Sequence, residues 1–412
     1  MRSYQSLFRT PEFTPLFLTS LVKGAAQTMS GLALGTLVYA ATDSPLLSAL
    51  SMFGPSLAQV LGATTLLSAA DRLPPRATIT GIALAFAAGT AILAAPVPLW
   101  AIFALILLLG LVASLGGGVS WGLLNEILPK DGYLLGRSVF NMANGLTQIT
   151  GYATGGVLVT LLSPCGTLLT AAALYLAAAI TARLGLTRRP PRASGRPSVA
   201  ETWRTNARLW SYAPRRNVYL LLWLPNGLIV GCESLYVPYA PDHAGLLFAC
   251  AALGMFAGDV TVGRILPSRV RPRFGVPLLL LLAAPYLLFA LRPGVPVAAV
   301  VVAVASVGFG ASLIQQEQLM ALTPPELSGH ALGLHSAGML TMQGVSAGLA
   351  GAVAQLTSAG AAMVVMAVAS IAVTVALSVP AVRSTPRAQP GQAAAAAAGG
   401  GPAGTEVLGP NG

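Results

Sequence analysis

Apolar runs of about 18–25 residues, long enough to cross the hydrocarbon core of a bilayer, follow one another along almost the whole chain. They lie near 14–41, 45–70, 77–95, 98–124, 135–162 and 165–184, and again near 217–240, 243–263, 274–291, 295–320, 328–356 and 358–380. Links of a few residues join most of them. Such a chain folds as a bundle of membrane-crossing helices, because lipid offers the backbone no outside hydrogen-bond partner. Composition agrees. Only 8% of the 412 residues are charged, against about 25% in a soluble domain, and the mean hydropathy is +0.74. One integral membrane domain is expected, all-α, with twelve transmembrane helices.

The net charge of +11 does not point to nucleic acid, because of where the charge sits. Apart from Lys23 and Arg292, the other 21 of the 23 Lys and Arg cluster in the N-terminal segment, in alternate loops and in the tail. The first, third and fifth links (Asp43-Ser44-Pro45, Pro96-Val97-Pro98, Ser163-Pro164-Cys165) carry none. This is the positive-inside pattern, which puts the basic side and both termini in the cytoplasm, against an anionic inner leaflet. An even number of spans, which puts both termini on one side, fits this. Cys165, Cys232 and Cys250 lie in or beside apolar runs without metal-ligand spacing and read as packing residues. The first apolar run is longer than a signal-peptide core and reads as an uncleaved helix.

Residues 185–216 divide the spans into two sets, giving bundles at 1–184 and 217–382, with a tail at 383–412. The linker begins Pro-rich and basic. Its second part, VAETWRTNARLWSY, spaces Val199, Trp203, Asn206/Ala207 and Trp210 along one helical face. That predicts a helix lying on the inner membrane surface with both indoles at headgroup level; the alternative is a disordered linker. The Ala-, Gly- and Pro-rich tail from Pro386 is expected to be disordered.

The two sets repeat. Asp71-Arg72-Leu73-Pro74-Pro75-Arg76 has a later counterpart in Gly263-Arg264-Ile265-Leu266-Pro267-Ser268-Arg269. A shift of 264 − 72 = 192 superposes Arg72 on Arg264, Pro75 on Pro267 and Gly62 on Gly254. A shift of 329 − 136 = 193 superposes Gly136, Gly145, Gly151 and Gly155 on Gly329, Gly338, Gly344 and Gly348, with Arg137 on His330. Nearly equal shifts imply two parallel six-helix halves.

With these features the chain resembles the major facilitator superfamily, whose plan is two six-helix bundles, a long basic central loop and a signature loop after the second helix. Asp71, Arg72 and Arg76 match that signature (Gly-x-x-x-Asp-Arg/Lys-x-Gly-Arg-Arg/Lys). Leu67 stands at its first glycine, and Pro74-Pro75 replace its Gly-Arg pair. Gly151-Tyr152-Ala153-Thr154-Gly155-Gly156 is similar to the Gly-Pro-x-x-Gly-Gly end of the antiporter motif of proton-coupled drug exporters, with Tyr152 for the proline. The resemblance implies a monomeric plasma- or inner-membrane transporter and tilts its direction outward. It places Asp71, Arg72, Arg76, Glu126, Arg137, Asp259, Arg264 and Glu317 at a cytoplasmic gate. Asp259 is expected to pair with local arginines, and Asp71 to hold a helix N-terminus or an arginine of the neighbouring bundle. The simpler role for these basic loops is topological. The fourth span lacks the arginine that many proton-coupled exporters carry.

Ionisable residues within spans cost several kcal/mol and tend to face a cavity or a partner. Lys23 lies about 10 Å deep in the first span, with Thr19 and Gln27 one turn away on the same face; its alternative is snorkelling to the headgroups. In the seventh span Glu233 follows Asn226 by two turns, and Pro225-Asn226-Gly227 predicts a local break. A carboxylate withdrawn from water can load and release protons near neutral pH; a structural acid facing water is the other reading. Gln59, Asn141, Asn144, Gln148, Gln315 and Gln343 add a polar cavity lining, or else interhelical hydrogen bonds.

The resulting expectation is a secondary transporter that moves a small amphiphilic organic molecule by alternating access, exporting it against protons. An importer or uniporter is the alternative; a membrane sensor or scaffold, or a polytopic enzyme, are readings from other classes. No Gly-x-x-x-x-Gly-Lys-Ser/Thr is present to bind ATP. The three histidines, His243, His330 and His335, form no cluster at one membrane face. No catalytic group, metal or cofactor is expected.

Overall fold

The computed structural model describes residues 4–70, 73–128, 130–190 and 199–383. A short α1 (Tyr4–Phe8) precedes α2 (Phe13–Thr42), α3 (Pro45–Ala70), α4 (Pro75–Leu93), α5 (Leu99–Ile127) and α6 (Lys130–Gly185). After α7 (Val199–Ser211) come α8 (Ala213–Glu233), α9 (Tyr236–Tyr239), α10 (Ala244–Val260), α11 (Arg271–Ala283), α12 (Val295–Val307), α13 (Ala311–Ala321), α14 (Ser328–Leu356) and α15 (Ala359–Arg383). No strand occurs among the described residues.

Proline starts several of these helices. Pro75 opens α4 and Pro98 caps α5, since proline's fixed φ suits the first turn and its missing N–H is not needed there. Proline and glycine also divide spans that the sequence shows as single runs. The run near 274–291 is α11 followed by a 3₁₀ stretch, Ala284–Leu291, with Pro285 at its second position. The run near 295–320 is α12 and α13 joined by a 3₁₀ turn at Gly308–Gly310. At Pro225 the expected break is absent: α8 continues to Glu233. In α6 a break does occur at Ser163 (φ 71°, ψ 164°), just before Pro164, so the element has two helical legs.

Ten helical stretches among the described residues are long and apolar enough to cross a membrane. Twelve runs were expected. The 30-residue α2 is not among the ten, since Lys23, Gln27 and neighbouring hydroxyl residues dilute its apolar surface. Both legs of α6 fall in one stretch, Met142–Gly185.

In the first part of the chain α2 packs on α6, α3 on α5, and α4 on both α5 and α6; in the second, α8 packs on α14 and α15, and α10 on α12. The most extensive contacts between the parts are α3 with α14 and α6 with α10, and α9 also touches α2 and α3. The sequence repeat reappears in the packing. A Cβ on Gly62 would meet Leu111 O and Ser114, and one on Gly254 would meet Ala303 O and Ser306. The offset is the same for all three positions: 254 − 62 = 303 − 111 = 306 − 114 = 192.

α7 forms where the Trp spacing predicts a helix, but its two indoles part company. Trp203 is 61% exposed, whereas Trp210 stacks on Trp223 of α8 (centroids 5.5 Å apart, 10° between planes). Trp210 therefore anchors α7 to α8. α8 begins at Ala213, inside the expected linker. Residues 191–198 and the tail from 384 lie outside the described residues.

Candidate functional site

The helix sets meet closely at the Glu233 end. A Cβ on Gly156 of α6 would lie 2.8 Å from Gly245 Cα of α10, so the two backbones touch there. One turn away, Tyr152 stacks on Phe248 (4.7 Å, 17°). Phe248 packs edge-on against Tyr236 (4.9 Å), and the Tyr236 and Tyr286 hydroxyls hydrogen-bond at 2.5 Å. Leu32 of α2 is buried in the same cluster. At the rim Ser44 Oγ, before α3, donates to Gln355 Oε1 of α14 at 2.8 Å.

Glu233 sits within this cluster, 6% exposed, and its Oε1 has no hydrogen-bond partner among the described residues. Tyr152, Tyr236 and Tyr286 are within electrostatic range of its carboxylate. Tyr152 is the residue that replaces proline in the antiporter-like motif. It brings an aromatic ring of one helix set to the acid of the other. Gly151 and Gly155 serve a different contact, giving α2 room at Thr28 and Met29. Asn226, 1% exposed, donates from Nδ2 to Leu222 O at 2.6 Å, and its Oδ1 has no partner. Gln315 is buried as well, with Oε1 unpartnered.

At the opposite, basic end the charged residues mostly tie each helix set to itself. Arg189 Nη1 contacts Glu126 at 3.2 Å and Nη2 contacts Glu12 at 2.9 Å. Glu12 also accepts from Thr187 N and Oγ1. Arg271 Nη1 contacts Glu317 at 2.7 Å. Arg76 donates to Arg183 O, the last turn of α6. Among the expected gate residues, Arg264 reaches the other set, through Met142 Sδ at 3.3 Å. Asp259 is exposed and has no ion pair among the described residues, so the expected pairing with local arginines is not formed. Asp71 and Arg72 lie outside the described residues, as do the side chains of Arg137 and Asn141. The Glu12–Arg189 link was missed in the sequence because its members are 177 positions apart.

The expected polar lining is spread over several places. Lys23 faces a small void with Thr19, Ser20, Gly116 and Ser120, whereas Gln27, one turn on, lines a separate cavity of about 130 Å³ together with Gln59. Asn144 and Gln148 are exposed on α6 and Gln343 is half-buried on α14; none of the three lines that cavity.

An all-helical membrane bundle of two contacting helix sets, with polar groups and a buried acid inside, defines a polytopic membrane protein of the solute-transporter kind. The sequence profile of the Major Facilitator Superfamily matches residues 16–316, and the chain belongs to that superfamily. Its fold is similar to that of the nucleoside transporter NupG (TM-score 0.70, 14% identity, covering 89% of this chain and 98% of that one). It is also similar to a POT family transporter in complex with thioalcohol-conjugated peptide (0.66, 12%, 90% and 96%). A third likeness is to a bacterial homologue of the human lysosomal transporter Spinster in an inward-facing, unoccupied conformation (0.65, 14%, 92% and 96%). At these identities the likeness concerns the fold. A search of curated protein sequences returns no match.

Proposed function

We propose that this chain is a secondary transporter that exports a small amphiphilic organic molecule across the cell membrane in exchange for protons. The observation that carries the reading is Glu233: a buried carboxylate with a free oxygen, located where the two helix sets touch. It has no cationic partner among the described residues, so a bound proton removes an uncompensated buried charge. In this account the proton enters while the Glu233 end is open. Neutral Glu233 then tolerates closure of the Tyr152–Phe248 contact, and proton release follows when the basic end opens.

α2 and the two legs of α6, added to the other nine stretches, make twelve spans in two parallel halves, and the shared offset of 192 in glycine packing supports that count. The distribution of Lys and Arg supports a cytoplasmic basic end, which puts the closed contact around Glu233 on the outer side. Glu126, Glu317 and Arg264 then stand on the cytoplasmic side.

The test is accumulation of labelled amphiphiles in proteoliposomes under an imposed pH gradient. Wild type is expected to respond to the gradient, and Glu233→Gln to lose that response while still binding the compound. Unchanged gradient-driven flux in Glu233→Gln rules out the coupling role.

A further inference from the structure

The cavity beside Gln27 is lined by one helix set alone. Its lining runs from Gln27 on α2 to Tyr175 on α6 and takes no residue from α8 onward. Its volume is about 130 Å³. A cavity of roughly 150 Å³ accommodates benzene, so at close to that size this one suits no more than one six-membered ring. Phe86, Met52 and several leucines supply apolar walls.

The polar groups are uncharged. The side chains of Gln27, Ser56 and Gln59 make no hydrogen bond among the described residues, and the Tyr175 hydroxyl is directed at Ser30. Each glutamine offers both a donor and an acceptor. No charged side chain lines the cavity; Lys23, the ionisable residue one turn from Gln27, opens on the other void. A charged ligand here would find no counter-ion in the lining, which disfavours it against a neutral one. A purely apolar ligand would leave the two amides unpaired.

We infer that this cavity is a binding site for a neutral, single-ring group bearing a hydroxyl, held by the Gln27 and Gln59 amides. Reading that group as part of the transported molecule rests on the transport proposal; occupancy of the site does not. The site is separate from Glu233, so recognition of the ring and handling of the proton fall to different halves of the chain.

Gly31 supplies the key variant. It lines the cavity, and a Cβ placed on it meets nothing within 4 Å, so a side chain begins in open space there and Gly31→Leu is the variant chosen to fill the cavity. The experiment titrates the full-length, detergent-purified protein, with no gradient, using phenol, toluene and benzylammonium in a saturation-transfer NMR assay. Wild type should bind phenol about tenfold more tightly than toluene, as one net hydrogen bond allows, and should not bind benzylammonium. Gly31→Leu should lose phenol binding. Gln59→Leu, which leaves the backbone packing alone, should bring phenol down to the level of toluene. Phenol binding that equals toluene in wild type, survives Gly31→Leu or is absent altogether overturns the assignment, as does binding of benzylammonium. Failure of the Glu233→Gln flux test would leave this result standing, and the reverse also holds.

Discussion

Gly156→Ala should change which end of the molecule is open. The added Cβ would lie 2.8 Å from Gly245 Cα and 3.4 Å from Gly245 C, whereas non-bonded carbons rest about 3.5–4.0 Å apart. Both partners are backbone, so no rotamer change relieves the clash, and α6 must move from α10 by about 0.7–1.2 Å at this level. Overpacking of this kind costs about 1–3 kcal/mol. The penalty exists only while the two helix sets touch at the Glu233 end. A difference of about 1–3 kcal/mol between two states moves their ratio roughly 5–150-fold, here toward the state open around Glu233. Spin labels at Thr160 and Asp242, both exposed near this contact, can report the separation in nanodiscs once Cys165, Cys232 and Cys250 are replaced. Gly156→Ala should lengthen the distance distribution. Gly81→Ala, whose Cβ meets nothing within 4 Å, should leave it unchanged. A Gly156→Ala distribution that superimposes on wild type would falsify the idea that this backbone contact is part of the closure.

Three further outcomes are expected. Tyr236→Phe leaves the Tyr286 hydroxyl buried without its 2.5 Å partner; thermal unfolding should show a loss of about 1–3 kcal/mol, part of which returns in the double variant with Tyr286→Phe. Glu12→Gln removes the charge opposite Arg189; the partly exposed pair should contribute about 1 kcal/mol or less, and high salt should narrow the gap between variant and wild type. Ser163→Gly relieves a positive φ of 71° and should raise the unfolding midpoint by the equivalent of about 1 kcal/mol; a lowered midpoint would mean that the Ser163 side chain matters more than the strain.

The membrane bundle was legible because lipid imposes a length and an apolarity on every span, and both are local properties of the sequence. The internal repeat was legible for a related reason: Gly62 and Gly254 are small where two helices must approach. Glu233 stood out as an acid in an apolar run. Its aromatic surroundings did not, since Tyr152, Tyr236, Phe248 and Tyr286 come from segments brought together only by packing. The replacement of proline by Tyr152 was visible, and the structure gives it a purpose as the ring that crosses to Phe248. Trp203 and Trp210 show the limit of helical spacing. They share a face of α7, but the position of α8 decided that one indole is exposed and the other stacked. Lys23 and Gln27 likewise share a face yet open on different voids, because neighbouring helices, not α2 alone, shape the space.

The central claim is best tested on the proton itself. Pyranine trapped in proteoliposomes reads internal pH while a pulse of amphiphile is added outside. The account predicts a compound-dependent pH change in wild-type vesicles that disappears with Glu233→Gln and persists with Gly81→Ala. An equal proton signal from wild type and Glu233→Gln, or none from wild type with any compound that moves across, would contradict it.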